Sequence, residues 1–337
     1  MKKVTLFALM LLVVTTYVSA KEDNQACVMN LFKTGNESMT LAQIRFACAS
    51  DVARQQKHVE RLKLQARTGG ITNRIKREKA TEFEPYVLTP HKMNFVLPAI
   101  TTNRVNKEAY RIYDGYEENL EDVEAKFQFS LKVPLNRKNI LREGDGLYLG
   151  FTLNAWWQIY ASGISKPFRE TNYQPEIFYI TPLHWHPFGG NTGFIVGLEH
   201  QSNGRAQGLS RSWNRVYTHF LFEKDNFALS LKPWVRLSED EKTFDFDPDG
   251  DDNPDIEDYM GNFELQMVYK WNSLEVSFKG RQNFDTHYGA AEFGLTFPLW
   301  GKLRGYATAF NGYGESLIDY NYNQTRLGIG ISLSDIL

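Results

Sequence analysis

From about residue 84 to the end of the chain, apolar and polar side chains alternate with a period of two. Phe127, Phe129 and Leu131 face one way, and Lys126, Gln128 and Ser130 the other. The pattern recurs in Leu147, Leu149, Phe151 and Leu153 against Tyr148, Thr152 and Asn154. It recurs again in Phe263, Leu265, Met267 and Tyr269 against Glu264, Gln266 and Lys270, and in Leu327, Ile329, Ile331 and Leu333 against Arg326 and Ser332. Such alternation marks strands whose two faces meet different media. An apolar face opposite one bearing Lys, Glu, Gln and Arg fits lipid outside and a polar interior. A soluble sandwich would show the same polar face, but it would need a second apolar layer, which these runs do not supply.

Twelve runs can be counted, near 87–100, 121–134, 146–160, 173–184, 193–202, 212–223, 226–237, 259–271, 273–283, 288–298, 302–313 and 325–334. Short links such as "KDN" and "WNS" follow even-numbered runs. Long links such as "SEDEKTFDFDPDGDDNPDIED" follow odd-numbered ones. Short turns on the periplasmic side, long loops outside and an even strand number belong together. The expectation is an all-β fold, a twelve-stranded antiparallel transmembrane β-barrel over residues 83–337, with its N-terminus in the periplasm.

The chain before the barrel reads differently. "MKKVTLFALMLLVVTTYVSA" has two lysines, an apolar stretch and a small-residue cleavage site, which predicts a secretory signal peptide over residues 1–20. Residues 21–82 form a small, helical periplasmic extension, with Leu41, Ile44 and Cys48 on one side of a helix and Thr40 and Gln43 as a capping box. Cys27 and Cys48 are the two cysteines of the chain, and in an oxidising compartment they are expected to pair. Without Lys2 and Lys3, 36 basic residues stand against 40 acidic ones, a formal charge of −4. Nucleic acid is excluded as a partner on that balance.

One pair of runs breaks the pattern. In "GLEHQSNGRAQGLSRSWNRVY", His200 and Ser202 continue the apolar row of Phe194, Val196 and Leu198, while Glu199 lies on the other face. In the returning run Asn214 shares a face with Val216, Thr218, Phe220 and Phe222. If both apolar faces meet lipid, His200, Ser202 and Asn214 project from the outer wall at the extracellular ends of adjacent strands. A hydroxyl, an imidazole and an amide able to accept from the imidazole's other N–H make a nucleophile, a base and an orienter for acyl transfer. Their position is the membrane interface, where the ester carbonyl of a lipid resides. The bland alternative is a polar rim that hydrogen-bonds to headgroups.

The ordered stretches "HQSNGRAQGLSRSWNR", "SKPFRETNYQPE" and "GYGESLIDYNYNQTRLGIG" resemble the outer membrane phospholipase A family, from about residue 84 onward. The resemblance implies a twelve-stranded barrel that hydrolyses acyl esters of phospholipids and lysophospholipids, with A1 and A2 activity, requires calcium and works as a homodimer in the outer membrane. It implies Ser202 as nucleophile, His200 as general base and Asn214 as its orienting partner. The Gly204 N–H would help hold the oxyanion. Calcium would lie at the dimer interface, held by the Ser210 hydroxyl, the Arg205 carbonyl and the Ser165 carbonyl of the other subunit, with waters. Residues 200–222 contain no Asp or Glu, so such a cation should bind weakly without a second subunit. Two positions depart from the family pattern: apolar Leu153 stands where a lipid-facing polar residue supports the dimer, and the last residue is Leu337 rather than an aromatic.

Other motifs are weaker. "DFDPDGDDNPD" places Asp245, Asp247, Asp249 and Gly250 as in a calcium loop, but Ile256 stands where a bidentate Glu is needed. "HWH" at 184–186 reads as part of an aromatic belt. Glu264, Lys232 and Arg326 read as a network filling the lumen. Two functions compete with the phospholipase: a lipid A deacylase acting from the same wall, and a non-catalytic barrel or pore.

Overall fold

A strand in hydrocarbon must pair both of its edges, because no water is present to take an open N–H or C=O. The computed structural model meets this demand by closure. It describes residues 27–30, 40, 42–48, 69–244, 247, 250–301, 303–334 and 336–337. Twelve antiparallel strands form the wall: β1 (Phe95–Thr102), β2 (Val123–Pro134), β3 (Gly146–Trp157), β4 (Phe168–Leu183), β5 (Asn191–Ser202), β6 (Ser212–Lys224), β7 (Phe227–Leu237), β8 (Phe263–Trp271), β9 (Leu274–Gln282), β10 (Gly289–Trp300), β11 (Leu303–Gly312) and β12 (Gln324–Ser332). Each pairs with its sequence neighbour, and β12 returns to β1 through Leu327↔Thr101, Ile329↔Ala99 and Ile331↔Val96. Every counted run overlaps one strand.

The first strand starts later than its apolar pattern suggests. Thr89–Pro90 pairs with Leu131 and Lys132, then the chain bulges through 91–94 before pairing resumes at Phe95. The bulge turns His91 and Lys92 into the lumen, where they meet Glu176 at 2.8 and 3.4 Å. A second irregularity, between Leu97 and Ile100, absorbs Pro98, which has no N–H to give the ladder.

The faces are inverted relative to a soluble protein. Val96, Phe129, Leu149, Val196, Leu198, Phe220, Phe293, Leu327 and Ile329 lie exposed on the outside. Charged residues are buried inside. Glu124 binds Arg169 at 3.0 Å and Arg326 at 2.5 Å; Arg169 continues to Asp319, and Arg326 to Glu315, which also meets Lys126. A second group joins Glu199 to Arg215 and Lys232, with Glu264 opposite Lys232 in register. Tyr217 donates to Glu176 at 2.6 Å. Buried charges of opposite sign at hydrogen-bonding distance compensate the loss of water, so side chains fill this lumen.

Turn chemistry explains the short links. Asp225 and Asn272 adopt positive φ in two-residue hairpins, a conformation that Asp and Asn tolerate. The link 135–145 is longer than the alternation predicts. Asp145 gathers it, accepting from the N–H groups of Ile140, Leu141 and Arg142 at 2.9, 2.6 and 2.7 Å.

Residues Met1–Arg67 form one unit and Thr68–Leu337 the other. In the first, the expected signal peptide lies outside the described residues. Thr40 and Gln43 exchange the contacts of a capping box, at 2.9 Å from Thr40 N–H to Gln43 Oε1 and 3.4 Å from Gln43 N–H to Thr40 Oγ1. Cys27 and Cys48 are joined by a disulfide.

The helix Gly70–Thr81 falls in the range the sequence assigns to the extension, but it packs on the barrel's short-turn end. The Glu223 carboxylate accepts the N–H groups of Ile71 and Thr72 at 2.8 and 3.1 Å, a charge placed where a helix start favours one. Gly69 permits this approach, since a Cβ there would lie 2.2 Å from the carboxylate carbon. Leu337 is buried beside Ile71, Ala228 and Val268 and packs the rim there.

Inside and outside are therefore expected to fail differently. Glu124→Gln leaves two buried guanidinium groups undercompensated and should cost on the order of 3 kcal/mol. Ile329→Arg should cost about 2–4 kcal/mol if it sits near the bilayer midplane, and little in a mobile micelle surface. Urea unfolding followed by heat-resistant gel mobility, in detergent and in bilayers, separates the two.

Candidate active site

Strands β5 and β6 pair from Asn191↔Glu223 to Ser202↔Ser212. Their inward row, Glu199, Trp213, Arg215 and Tyr217, is buried, and the Arg215 guanidinium lies 3.8 Å from the Trp213 ring centre. Their outward row carries exposed Val196, Leu198, Val216 and Phe220. His200, Ser202 and Asn214 continue that outward row and are each half-buried. All three thus stand on the outer wall at the long-loop end.

His200 and Asn214 are direct partners in register, and His200 Nδ1 lies 2.8 Å from Asn214 Oδ1. An amide oxygen only accepts, so Nδ1 carries the proton and Nε2 is left as the basic nitrogen. Ser202 lies two residues along the same face, between Ser212 of β6 and Tyr173 of β4. The amide of Asn214 has a second partner: its Nδ2 donates to Glu239 Oε1 at 2.9 Å.

Asn203 shapes the connecting loop from inside. Its carbonyl oxygen accepts from the N–H groups of Arg205 and Arg211 at 3.2 and 3.0 Å, and its Nδ2 donates to Leu209 O at 2.7 Å. Gly204 follows with φ of +62°, and a Cβ there would come within 3.2 Å of the Tyr173 ring. The Arg205 side chain donates to the carbonyls of Phe168 and Arg169 at 2.7 and 3.1 Å, tying the loop to the start of β4. Ser165 is exposed in the neighbouring link 158–167.

Carboxylates reach this loop after all, but from elsewhere in the chain. The Ser210 hydroxyl donates to Asp252, whose other oxygen lies 2.5 Å from Lys242 Nζ. Asn253 accepts the Ser212 N–H at 3.0 Å. All come from the link 238–262, which the sequence marks only as an acidic stretch. The expectation of a weakly held cation counted only the carboxylates of residues 200–222, and Asp252 adds one from outside that stretch.

Among the described residues, no group of three or more His, Cys, Asp or Glu side chains is placed to hold a metal. The donors around Ser210 are a hydroxyl, backbone carbonyls and one carboxylate, all hard oxygen ligands suited to calcium. Of the weaker motif, Asp245 and Asp249 lie outside the described residues. Asp247 accepts from Thr243, and Ile256 is fully buried. His186 meets Gly190 O at 3.0 Å, beside an exposed Trp185.

The pattern of the phospholipase A1 family matches residues 71–333. The chain belongs to this family. Phospholipase A1 of Escherichia coli (strain K12) is 41% identical over 253 residues, covering 75% of this chain and 83% of that protein. A solved outer membrane phospholipase A from Escherichia coli, an active-site mutant with asparagine replaced by alanine, superposes with a TM-score of 0.71. It is 39% identical, and the match covers 78% of this chain and 98% of that one. The outer membrane phospholipase (OMPLA) dimer of Salmonella typhi, solved with bound calcium, gives the same TM-score and coverage at 40% identity. The protein is a phospholipase built as a transmembrane β-barrel. Neither a deacylase of lipid A nor a non-catalytic pore accounts for that kinship.

Asn214→Ala is expected to lower kcat by about 10²-fold, the cost of a misplaced catalytic group, while heat-resistant gel mobility persists. Loss of that mobility would make Asn214 a structural residue.

Proposed function

We propose that the barrel cleaves acyl esters of phospholipids and lysophospholipids, with A1 and A2 activity, using Ser202 as nucleophile, His200 as general base and Asn214 as orienter. One observation carries the assignment: the 2.8 Å contact between His200 Nδ1 and Asn214 Oδ1 in line with exposed Val196, Leu198, Val216 and Phe220. Polar side chains gain nothing from lipid, so their presence there points to a substrate that lies in lipid. The asparagine mutated in the active site of the Escherichia coli relative agrees with an amide in the orienting role.

The chemistry follows from the donors available. His200 Nε2 takes the Ser202 hydroxyl proton as Oγ attacks the ester carbonyl. Asn214 Oδ1 accepts a hydrogen bond from Nδ1–H and holds the imidazole in that tautomer as it becomes cationic. The Gly204 N–H lies in the loop that follows Ser202 and would donate to the tetrahedral oxyanion. His200 then returns its proton to the departing alcohol of the lysolipid or glycerophosphodiester; water, deprotonated by the same imidazole, attacks the acyl–Ser202 ester, and that proton passes to Ser202 Oγ as the fatty acid leaves.

Calcium fits the oxygen donors of the loop. Ser210, the Arg205 carbonyl and Asp252 would hold it, with the Ser165 carbonyl of a second copy, and bound there it would supply positive charge beside the oxyanion. A calcium-dependent homodimer in the outer membrane, with the site toward the extracellular leaflet, is the assembly this reading requires. The bound calcium and dimer of the Salmonella typhi relative support it. Leu153, half-buried on the outer wall and in register with Phe129 and Tyr173, would contribute packing to that dimer and no hydrogen bond.

Acyl release from a short-chain phospholipid by the refolded barrel should require calcium, and Ser202→Ala should lower kcat on the order of 10⁶-fold. Hydrolysis that persists in Ser202→Ala, or with a chelator, would overturn the nucleophile or the calcium requirement respectively. His200→Ala should lower kcat by a comparable factor. Parental turnover in that variant would remove His200 as base.

A further inference from the structure

Asparagine is an ambiguous orienter. Its amide can turn over at little cost, and the turned form presents an NH₂ group to His200 Nδ1, which would favour the wrong tautomer. In a Ser-His-Asp arrangement the carboxylate has no such second face. Something beyond Asn214 must therefore choose its orientation.

Glu239 supplies the choice. A carboxylate only accepts, so its Oε1, 2.9 Å from Asn214 Nδ2, requires the amino group to face the loop and Oδ1 to face His200. We infer that Glu239 is a positioning residue for ester hydrolysis, fixing the amide of Asn214 and extending the chain Ser202–His200–Asn214 to a terminal negative charge. This rests on the Ser-His-Asn reading above.

The local fold holds Glu239 in place. Leu237, the last residue of β7, is the register partner of Asn214, so Glu239 leaves the strand two residues beyond the site. The loop behind it is tied down: Asp251 N–H donates to Asp240 O at 2.8 Å, and Arg236 reaches Asp251 at 2.6 Å and Asn253 O at 3.2 Å. The charged groups around Glu239 are Asp251, Asp252 and Arg236, with Lys242 paired to Asp252. Burial and then the Asp251 charge push the Glu239 carboxyl above the ordinary carboxylate range, while Asn214 and Arg236 pull it back. Moving the carboxylate one amide away from the imidazole also keeps a full charge off the lipid-facing wall, where charge is costly.

The test compares Glu239→Ala and Glu239→Gln with the parent chain, refolded in detergent and checked for heat-resistant mobility, with Ser202→Ala alongside. Glu239→Ala should lower kcat between about 10-fold and 100-fold with KM unchanged. Glu239→Gln keeps the size, loses the charge and can itself turn over. It should lower kcat less and move the acid limb of kcat/KM to lower pH, because the imidazolium loses a stabilising charge. A merely structural contact would leave that limb where it is. Parental kcat and an unmoved acid limb in both variants would overturn the proposal while leaving the trio intact. A change confined to KM would also overturn it, placing Glu239 against substrate instead. An active Ser202→Ala would show that the trio itself had failed.

Discussion

Backbone pairing in a medium without water is the constraint from which the rest follows. Each strand must find partners on both edges, so the sheet closes, β12 returns to β1, and the side chains are sorted into two populations. Apolar residues take the outside because lipid is there. Charged residues take the inside, where they can be made tolerable only by one another. The Glu124 cluster, with Arg169 and Arg326 on one carboxylate, is the clearest result of that sorting.

Against this background the outward row of His200, Ser202 and Asn214 stands out. A soluble hydrolase encloses its nucleophile in a cleft and draws substrate from water. On the proposed reading the substrate is the solvent of the outer wall, and the site would need no pocket of its own. What it needs is precision on an open surface. Precision comes from the β5–β6 register, from Asn203 knotting the loop between them, and from a 238–262 link that leans back over the strand ends with Glu239 and Asp252.

The barrel was almost wholly legible in the sequence because period-two alternation reports faces directly, and a one-residue slip would invert every one of them. The outward placement of His200, Ser202 and Asn214 was legible for the same reason, since polar residues in an apolar row contradict their surroundings, but their roles came from the resemblance of "HQSNGRAQGLSRSWNR" to a family and stay a proposal. What escaped were groups whose meaning depends on distant pairing. Asn203 is buried under its own loop, and nothing in "QSNGR" distinguishes it from a surface asparagine. Glu239 and Asp252 sit in an acidic stretch where many carboxylates are equivalent until the loop folds. The helix Gly70–Thr81 has only Ile71 and Ile75 as an apolar pair and five charged residues beside them, so its docking, through Glu223 at its start and Arg74 to the carbonyls of Pro90 and His91, had little pattern to announce it.

We propose Ser202, on the lipid-facing wall, as the reacting hydroxyl. The most direct test is covalent labelling of the calcium-loaded barrel with a lipid-like fluorophosphonate, followed by proteolysis and mass spectrometry. A single modified residue, Ser202, is expected, with labelling suppressed by a chelator. A label on another serine, or a rate equal to that of the urea-unfolded chain, would contradict it.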